Sequence, residues 1–296
     1  MVLVEEGGGE VSEVALMSGR REGGGNMAMK GLALHSWTLD TTPLTEVLRI
    51  ARHTGWDAIE LRRADFARAA EKGQSAAEVL DLVRANGLPV ACVGVELGWM
   101  FAEGAERQRL LRACAESCGW AAALKCATVM SPVDPGRGDV ERAVASIREV
   151  GDIAAKHGVR LALEFNSQAE QFNTLERLRD VLARAGHPHC ALLLDTYHFQ
   201  RSGGDVRHLE KIAPEEIGYF QYSDVPRNGL QPGKTLDRLP PGQGSVPFRE
   251  IVGRLSEKGY RGYLTYEAPN PAAWARNPEE VAQEALQATR TLLNGA

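Results

Sequence analysis

The chain has 296 residues, 44% hydrophobic and 25% charged, with a net charge of −5 and a pI near 5.9. That length is long for an ordinary domain but suits a (β/α)8 barrel, and the apolar fraction is ample for a large core. The acidic balance argues against a nucleic-acid partner, which draws a basic excess or stripe; no stretch is long and apolar enough to span a membrane, and five cysteines in a chain of this length do not suggest a disulfide framework.

Residues 1–29 contain Gly runs at 7–9 and 23–25 and few apolar positions. They lack the basic start and apolar centre of a secretory signal and make a poor transit peptide. They read as a disordered extension, with Met27 or Met29 as an alternative start and the cytoplasm as the default location. From Lys30 onward, short apolar runs alternate with amphipathic helical stretches. Strands are expected at 31–36, 58–61, 89–95, 125–131, 160–165, 191–195, 217–222 and 263–267. The helices after them are expected at 43–53, 75–86, 105–118, 139–157, 173–185, 205–212, 247–258 and 278–293. Pro43 suits a first helical turn, and Gly87, Gly158 and Gly186 suit helix ends. Cys114 and Cys118 lie one helical turn apart and read as buried apolar residues rather than a zinc pair.

Nearly continuous apolar strands separated by helices mean a parallel sheet buried on both faces. Eight such units over 30–296 make one closed (β/α)8 TIM barrel. An open doubly wound sheet is disfavoured, because LALHSWTLDTTP follows the first strand where a Gly-rich dinucleotide fingerprint would stand. Neither a P-loop nor a Gly-x-Ser-x-Gly elbow is present.

In such a barrel, functional groups sit at the C-terminal ends of the strands. Strand five ends LALEFN and offers Glu164; strand six ends LLLDTYH and offers Asp195, with His198 three residues on. Strand seven reads YFQYSD and offers Gln221, with Asp224 after it; strand eight ends LTYEAPN and offers Glu267. Adjacent strand ends are roughly 5 Å apart, so four oxygen donors can converge on one ion. Three carboxylates gathered there would repel one another without a cation. The hard donor set suits Mn²⁺ or Mg²⁺, with Co²⁺ and Zn²⁺ also compatible. A single carboxylate at a strand end is often only a helix cap; four donors in register, three of them carboxylates, are hard to reach by accident. Gln221 is the weakest member, since an amide also serves to orient a neighbour. His198 and His35 point toward the same mouth and read as substrate contacts, while the other histidines read as surface groups.

These stretches resemble the xylose isomerase-like TIM barrels of the sugar phosphate isomerase/epimerase superfamily. The resemblance runs from about Lys30 to the C-terminus and is carried by LALEFN, LLLDTYHF, the Q-x-x-D of FQYSDVPR, PPGQG and GYRGYLTYEAPNP. It implies a divalent metal on Glu164, Asp195, Gln221 and Glu267. Many members have His at the third position; Gln221 departs from that and resembles the hydroxypyruvate isomerase and 3-dehydroshikimate dehydratase branches. The resemblance further implies a carbohydrate or hydroxy-acid substrate chelated through its carbonyl and adjacent hydroxyl. Glu164 and Glu267 would then move protons through a metal-bound enediolate. His35 and His198 would position hydroxyls. Arg227 would pair with a substrate carboxylate or phosphate, though a solvated loop arginine reads equally well. Trp37 would wall the pocket or pack in the core.

The first functional expectation is therefore an isomerase or epimerase, and the second a lyase of the dehydroshikimate or inosose dehydratase type. An apurinic-site endonuclease shares the barrel but needs more His ligands and a basic face. A non-catalytic sugar-binding barrel would not need paired acid–base glutamates. Family members often form dimers or tetramers, so a homodimer or homotetramer is expected, with no nucleic-acid or membrane partner.

Overall fold

The computed structural model describes residues 29–295; the extension assigned to 1–29, apart from Met29, lies outside them. Eight parallel strands close into a barrel in sequence order, with β1 hydrogen-bonded to β8. In chain order these are β1 (Gly31–His35), α1 (Leu44–Thr54), β2 (Ala58–Leu61), α2 (Arg63–Glu71), α3 (Ala76–Asn86), β3 (Val90–Gly94), α4 (Gly104–Ala123) and β4 (Thr128–Pro132). Then come α5 (Val140–Lys156), β5 (Arg160–Glu164), α6 (Leu175–Ala185), β6 (Cys190–Asp195) and α7 (Thr196–Arg201). The last elements are β7 (Ile217–Tyr222), α8 (Phe248–Glu257), β8 (Tyr263–Tyr266), α9 (Pro271–Trp274) and α10 (Pro278–Asn294).

Strand alternation decides what points where. In β5, Leu161 and Leu163 face the helices, while Ala162 joins the barrel interior. The same alternation puts Ala33, Ala58, Leu193, Tyr219 and Tyr263 inside, with Leu34, Ile59, Leu194 and Phe220 outside. Small interior residues leave room for Met130 and the two tyrosines, so the lower barrel is filled rather than hollow. Each outward Leu buried against a helix contributes about 2 kcal/mol. Continuing the period of two to the strand ends turns His35, Glu60, Glu164, Asp195 and Gln221 inward at the mouth. Register sets neighbours: His35 lies beside Glu60, and Asp195 beside Gln221.

The expected strands and helices appear, with four differences. Helices α2, α7 and α9 were not anticipated, and 205–212 forms a short 3₁₀ segment, Val206–Lys211. Helix α7 starts directly at the end of β6, because the Asp195 side chain accepts the His198 backbone N–H (2.9 Å) and so caps it. Cys114 and Cys118 are fully buried on α4, and the five cysteines are free. No described helix is long and apolar enough to cross a membrane.

The long segment between β7 and α8 is knotted by Asp224. Its carboxylate accepts backbone N–H groups from Val225 and Val246 on Oδ1, and from Gly242 and Gly244 on Oδ2, all at 2.8–2.9 Å. Its backbone pairs with Leu239 in both directions. Only glycine fits at 244, since a Cβ there would collide with the Val225 carbonyl and the Asp224 carboxylate. The Q-x-x-D and PPGQG motifs are thus two halves of one loop closure. Replacing Asp224 with Ala strands several buried amides. We expect a loss on the order of 3 kcal/mol in urea unfolding at unchanged slope; a loss below about 1 kcal/mol would refute this account of the loop.

Candidate metal centre

Three potential ligand groups, Glu164, Asp195 and His198, have ligand atoms within 4.8 Å of one another, and all three residues are buried. Gln221 is fully buried beside Asp195. Glu267, just past β8, is joined to Asp195 by Arg238: one guanidinium nitrogen, Nη1, donates to Asp195 Oδ2 (3.0 Å) and Glu267 Oε2 (2.9 Å). The other, Nη2, lies 3.1 Å from His198 Nε2, and the guanidinium stacks 4.5 Å from the Tyr197 ring centre. Arg238 is only 4% exposed.

Two of these residues escape a reading confined to strands five to eight. Glu60, on β2, is fully buried; its Oε1 accepts from Gln221 Nε2 (2.9 Å) and its Oε2 from the Tyr219 hydroxyl (3.0 Å). Its signal was the same Ala-x-acid pattern that marks Ala162 and Glu164. Arg238 stands next to Leu239, so the Asp224 knot delivers it to the mouth. Arg227, chosen from the sequence, is exposed. The cation in the mouth is Arg238, because loop closure carries the residue beside PPGQG inward and leaves the residue just past β7 outside. Trp37 is half-buried on the 3₁₀ turn (Ser36–Leu39) after β1, with Arg62 over its ring at 6.0 Å.

Charge is crowded here. Among the described residues, four buried carboxyls (Glu60, Glu164, Asp195 and Glu267) face one buried guanidinium. Burial, followed by the charge of Asp195, pushes Glu164 well above the usual carboxylate range. Burial, followed by Glu267, does the same to Glu60. Asp195 is pushed up to about 6 by burial, against the pull of Arg238. Burial opposes the Arg238 charge, but Asp195, Glu267 and Glu164 outweigh it and hold the group cationic. Burial and nearby arginines drive His35 and His198 well below the ordinary histidine value, so both rings are neutral near pH 7. His35 Nδ1 accepts from the Trp37 backbone (3.0 Å), which leaves its proton on Nε2, 3.4 Å from Glu267 Oε1 and 3.5 Å from Glu60 Oε1. Around His198, Arg238 Nη2 lies 3.1 Å from Nε2, while the Ser167 backbone N–H donates to Nδ1 (3.2 Å) and Ser167 Oγ lies 2.9 Å from it.

Two buried oxygens, Glu164 Oε1 and Gln221 Oε1, have no hydrogen-bond partner. Glu164 Oε1 lies 3.8 Å from His198 Nε2. Buried oxygens without donors are costly, and a bound cation would satisfy them. Of the four ligands expected from the sequence, Glu164 and Asp195 fall in the group suited to a divalent ion, where His198 and not Glu267 joins them, and Gln221 pairs in register with Asp195 and keeps an unpartnered oxygen.

If Arg238 offsets the carboxylates, Arg238→Met should cost about 3 kcal/mol or more at pH 7.5 in metal-free protein. The cost should shrink at pH 5, where Asp195 is protonated below its value of about 6. Equal costs at the two pH values, read from denaturant unfolding, would contradict the electrostatic account.

Comparison with known proteins agrees with the barrel fold. The chain is 23% identical over 267 residues to inosose isomerase of Bacillus velezensis, covering 87% of this chain and 94% of that protein. It is 27% identical over 153 residues to 3-dehydroshikimate dehydratase of Pseudomonas putida, covering 51% of this chain and 24% of that protein. Among solved structures, the IOLI protein with a bound zinc atom superposes with a TM-score of 0.81 at 20% identity, covering 90% of this chain and 98% of that one. The xylose isomerase-like TIM barrel family model matches residues 48–292, and the chain belongs to that family.

Proposed function

We propose that this protein is a divalent-metal-dependent isomerase or epimerase acting on a ketose or related α-hydroxycarbonyl compound, with Mn²⁺ or Mg²⁺ as its ion. The observation that carries the reading is the pair of partnerless buried oxygens, Glu164 Oε1 and Gln221 Oε1, inside a carboxylate cluster. Glu164, Asp195, Gln221 and Glu267 would hold the ion, which when bound supplies Lewis-acid polarisation of a carbonyl. Co²⁺ and Zn²⁺ suit the same donors.

The protein's own groups divide the proton work. Glu164 has an elevated affinity for protons and one oxygen free of donors, so it takes the proton from the carbon beside the carbonyl. Glu267, held by Arg238 and His35, delivers on the other side a proton that it takes up from solvent, and Glu164 releases its own to solvent after turnover. Delivery to the neighbouring carbon gives an aldose–ketose shift; delivery to the opposite face of the same carbon gives an epimer. The neutral rings of His35 and His198 bond to substrate hydroxyls, and Trp37 borders the mouth. The near full-length similarity to an inosose isomerase supports this reading.

A metal-dependent dehydratase is the second reading. Arg238 favours it, because a buried guanidinium in the mouth can engage a hydroxy-acid carboxylate. The same proton abstraction is then followed by loss of a β-hydroxyl, which leaves as water after accepting a proton. An endonuclease reading lacks support, since the groups able to hold a metal among the described residues form the one cluster above.

Chelated protein should be supplied with Mn²⁺, Mg²⁺, Co²⁺ or Zn²⁺ and assayed against ketoses, hydroxypyruvate, inosose and 3-dehydroshikimate. Metal-restored turnover of a ketose or hydroxypyruvate is expected; water loss from inosose or dehydroshikimate would select the dehydratase, and no metal response would overturn both. Glu164→Gln and Glu267→Gln should each lower kcat by roughly 10²–10⁴-fold, and unchanged turnover would remove that residue from the proton work. Metal affinity should rise with pH through about 6, because below it Asp195 holds a proton that the ion must displace. Calorimetry at pH 5 and 7.5 giving equal affinities would contradict this.

A further inference from the structure

Gln221 is an ambiguous ligand: an amide has an oxygen end that binds cations and a nitrogen end that repels them. Something must decide which end faces the mouth. Glu60 does so by geometry. Its Oε1 accepts from Gln221 Nε2 at 2.9 Å and faces the His35 Nε2 proton at 3.5 Å, while Oε2 accepts from the Tyr219 hydroxyl at 3.0 Å. The Tyr219 hydroxyl and the Gln221 amide nitrogen both donate to this carboxyl, which holds the nitrogen end of the amide toward Glu60. Gln221 Oε1 is then left without a partner. Glu60 comes from β2, across the mouth from the strands that carry the other ligands, and is fully buried.

We propose that Glu60 is a positioning residue that presents the oxygen end of Gln221 as a metal ligand. The inference rests on the metal reading above. It explains why a buried acid on β2, outside the ligand set, is kept despite the burial that disfavours its charge. Outer partners of this kind typically alter metal affinity by 10–100-fold when lost.

The test is calorimetric Mn²⁺ binding to chelated protein, with melting temperature as a fold control. Glu60→Leu removes the acceptor but keeps the volume, and Tyr219 retains its bond to Thr265 Oγ1 (2.5 Å). It should fold and bind Mn²⁺ roughly 10–100-fold more weakly than wild type. Glu60→Met serves the same purpose if Leu disturbs the strand. The double variant Glu60→Leu/Gln221→Glu should recover the lost affinity, because a carboxylate offers an oxygen whichever way it turns. A Glu60→Leu protein that binds Mn²⁺ as tightly as wild type would overturn the positioning role and leave the metal reading intact. A double variant that stays weak would also overturn it, since the defect would then be a general collapse of the site. Wild-type protein that binds no Mn²⁺ would overturn the metal reading itself.

Discussion

Four carboxyls buried at one barrel mouth are the constraint around which the rest of this structure is arranged. A lone carboxylate in such a place gives up its charge rather than pay the desolvation cost. Each group here is treated differently. Asp195 is tied to the α7 backbone and to Arg238; Glu267 takes Arg238 and sits beside the His35 proton; Glu60 takes Tyr219 and Gln221. Glu164 receives least, and its Oε1 has no donor. That inequality is what separates roles among chemically similar groups, because catalysis needs proton carriers whose surroundings differ.

The arginine that offsets this charge does not come from a strand. It arrives on the long connection after β7, whose path is set by one aspartate collecting four backbone N–H groups. Asp224 lies in a motif beside a proposed ligand, yet its carboxylate is spent on the loop. The rigid barrel fixes the acids, and the loop fixes their counter-charge. A divalent ion on Asp195 and Glu267 would compete with Arg238 for the same oxygens. The guanidinium would then be free to face an anionic substrate.

The barrel was legible because its signal is repetitive: eight apolar runs, each followed by an amphipathic stretch, admit few other closures. The acids on β5 and β6 were legible for a related reason, since Ala162 inside implies Glu164 inside two residues later. Glu60 obeys the same rule but lies on β2, far in sequence from its partners, and only the closed barrel brings it to Gln221. Arg238 carries no periodic signal at all. Its direction depends on backbone hydrogen bonds between residues 224 and 239–246, which no local pattern encodes. Arg227 was the nearer arginine in sequence, and proximity to a strand end is a poor guide once a loop folds back. Helix α7 was missed because Asp195 ends a strand and caps a helix at the same residue.

The amide at position 221 ties these threads together. A histidine there would bring its own protonation into any cation equilibrium. An amide does not titrate, so in the proposed site proton competition falls to the carboxyls, chiefly Asp195 and Glu164. The amide introduces a different demand, since its two ends differ in polarity while nearly matching in shape. A buried acid on β2 meets that demand. The surrounding hydrogen bonds then follow in order: Thr265 pairs with Tyr219, Tyr219 holds Glu60, Glu60 holds the Gln221 nitrogen, and the Gln221 oxygen is left without a partner. Exchanging His for Gln in such a barrel thus trades sensitivity to pH for dependence on a distant strand.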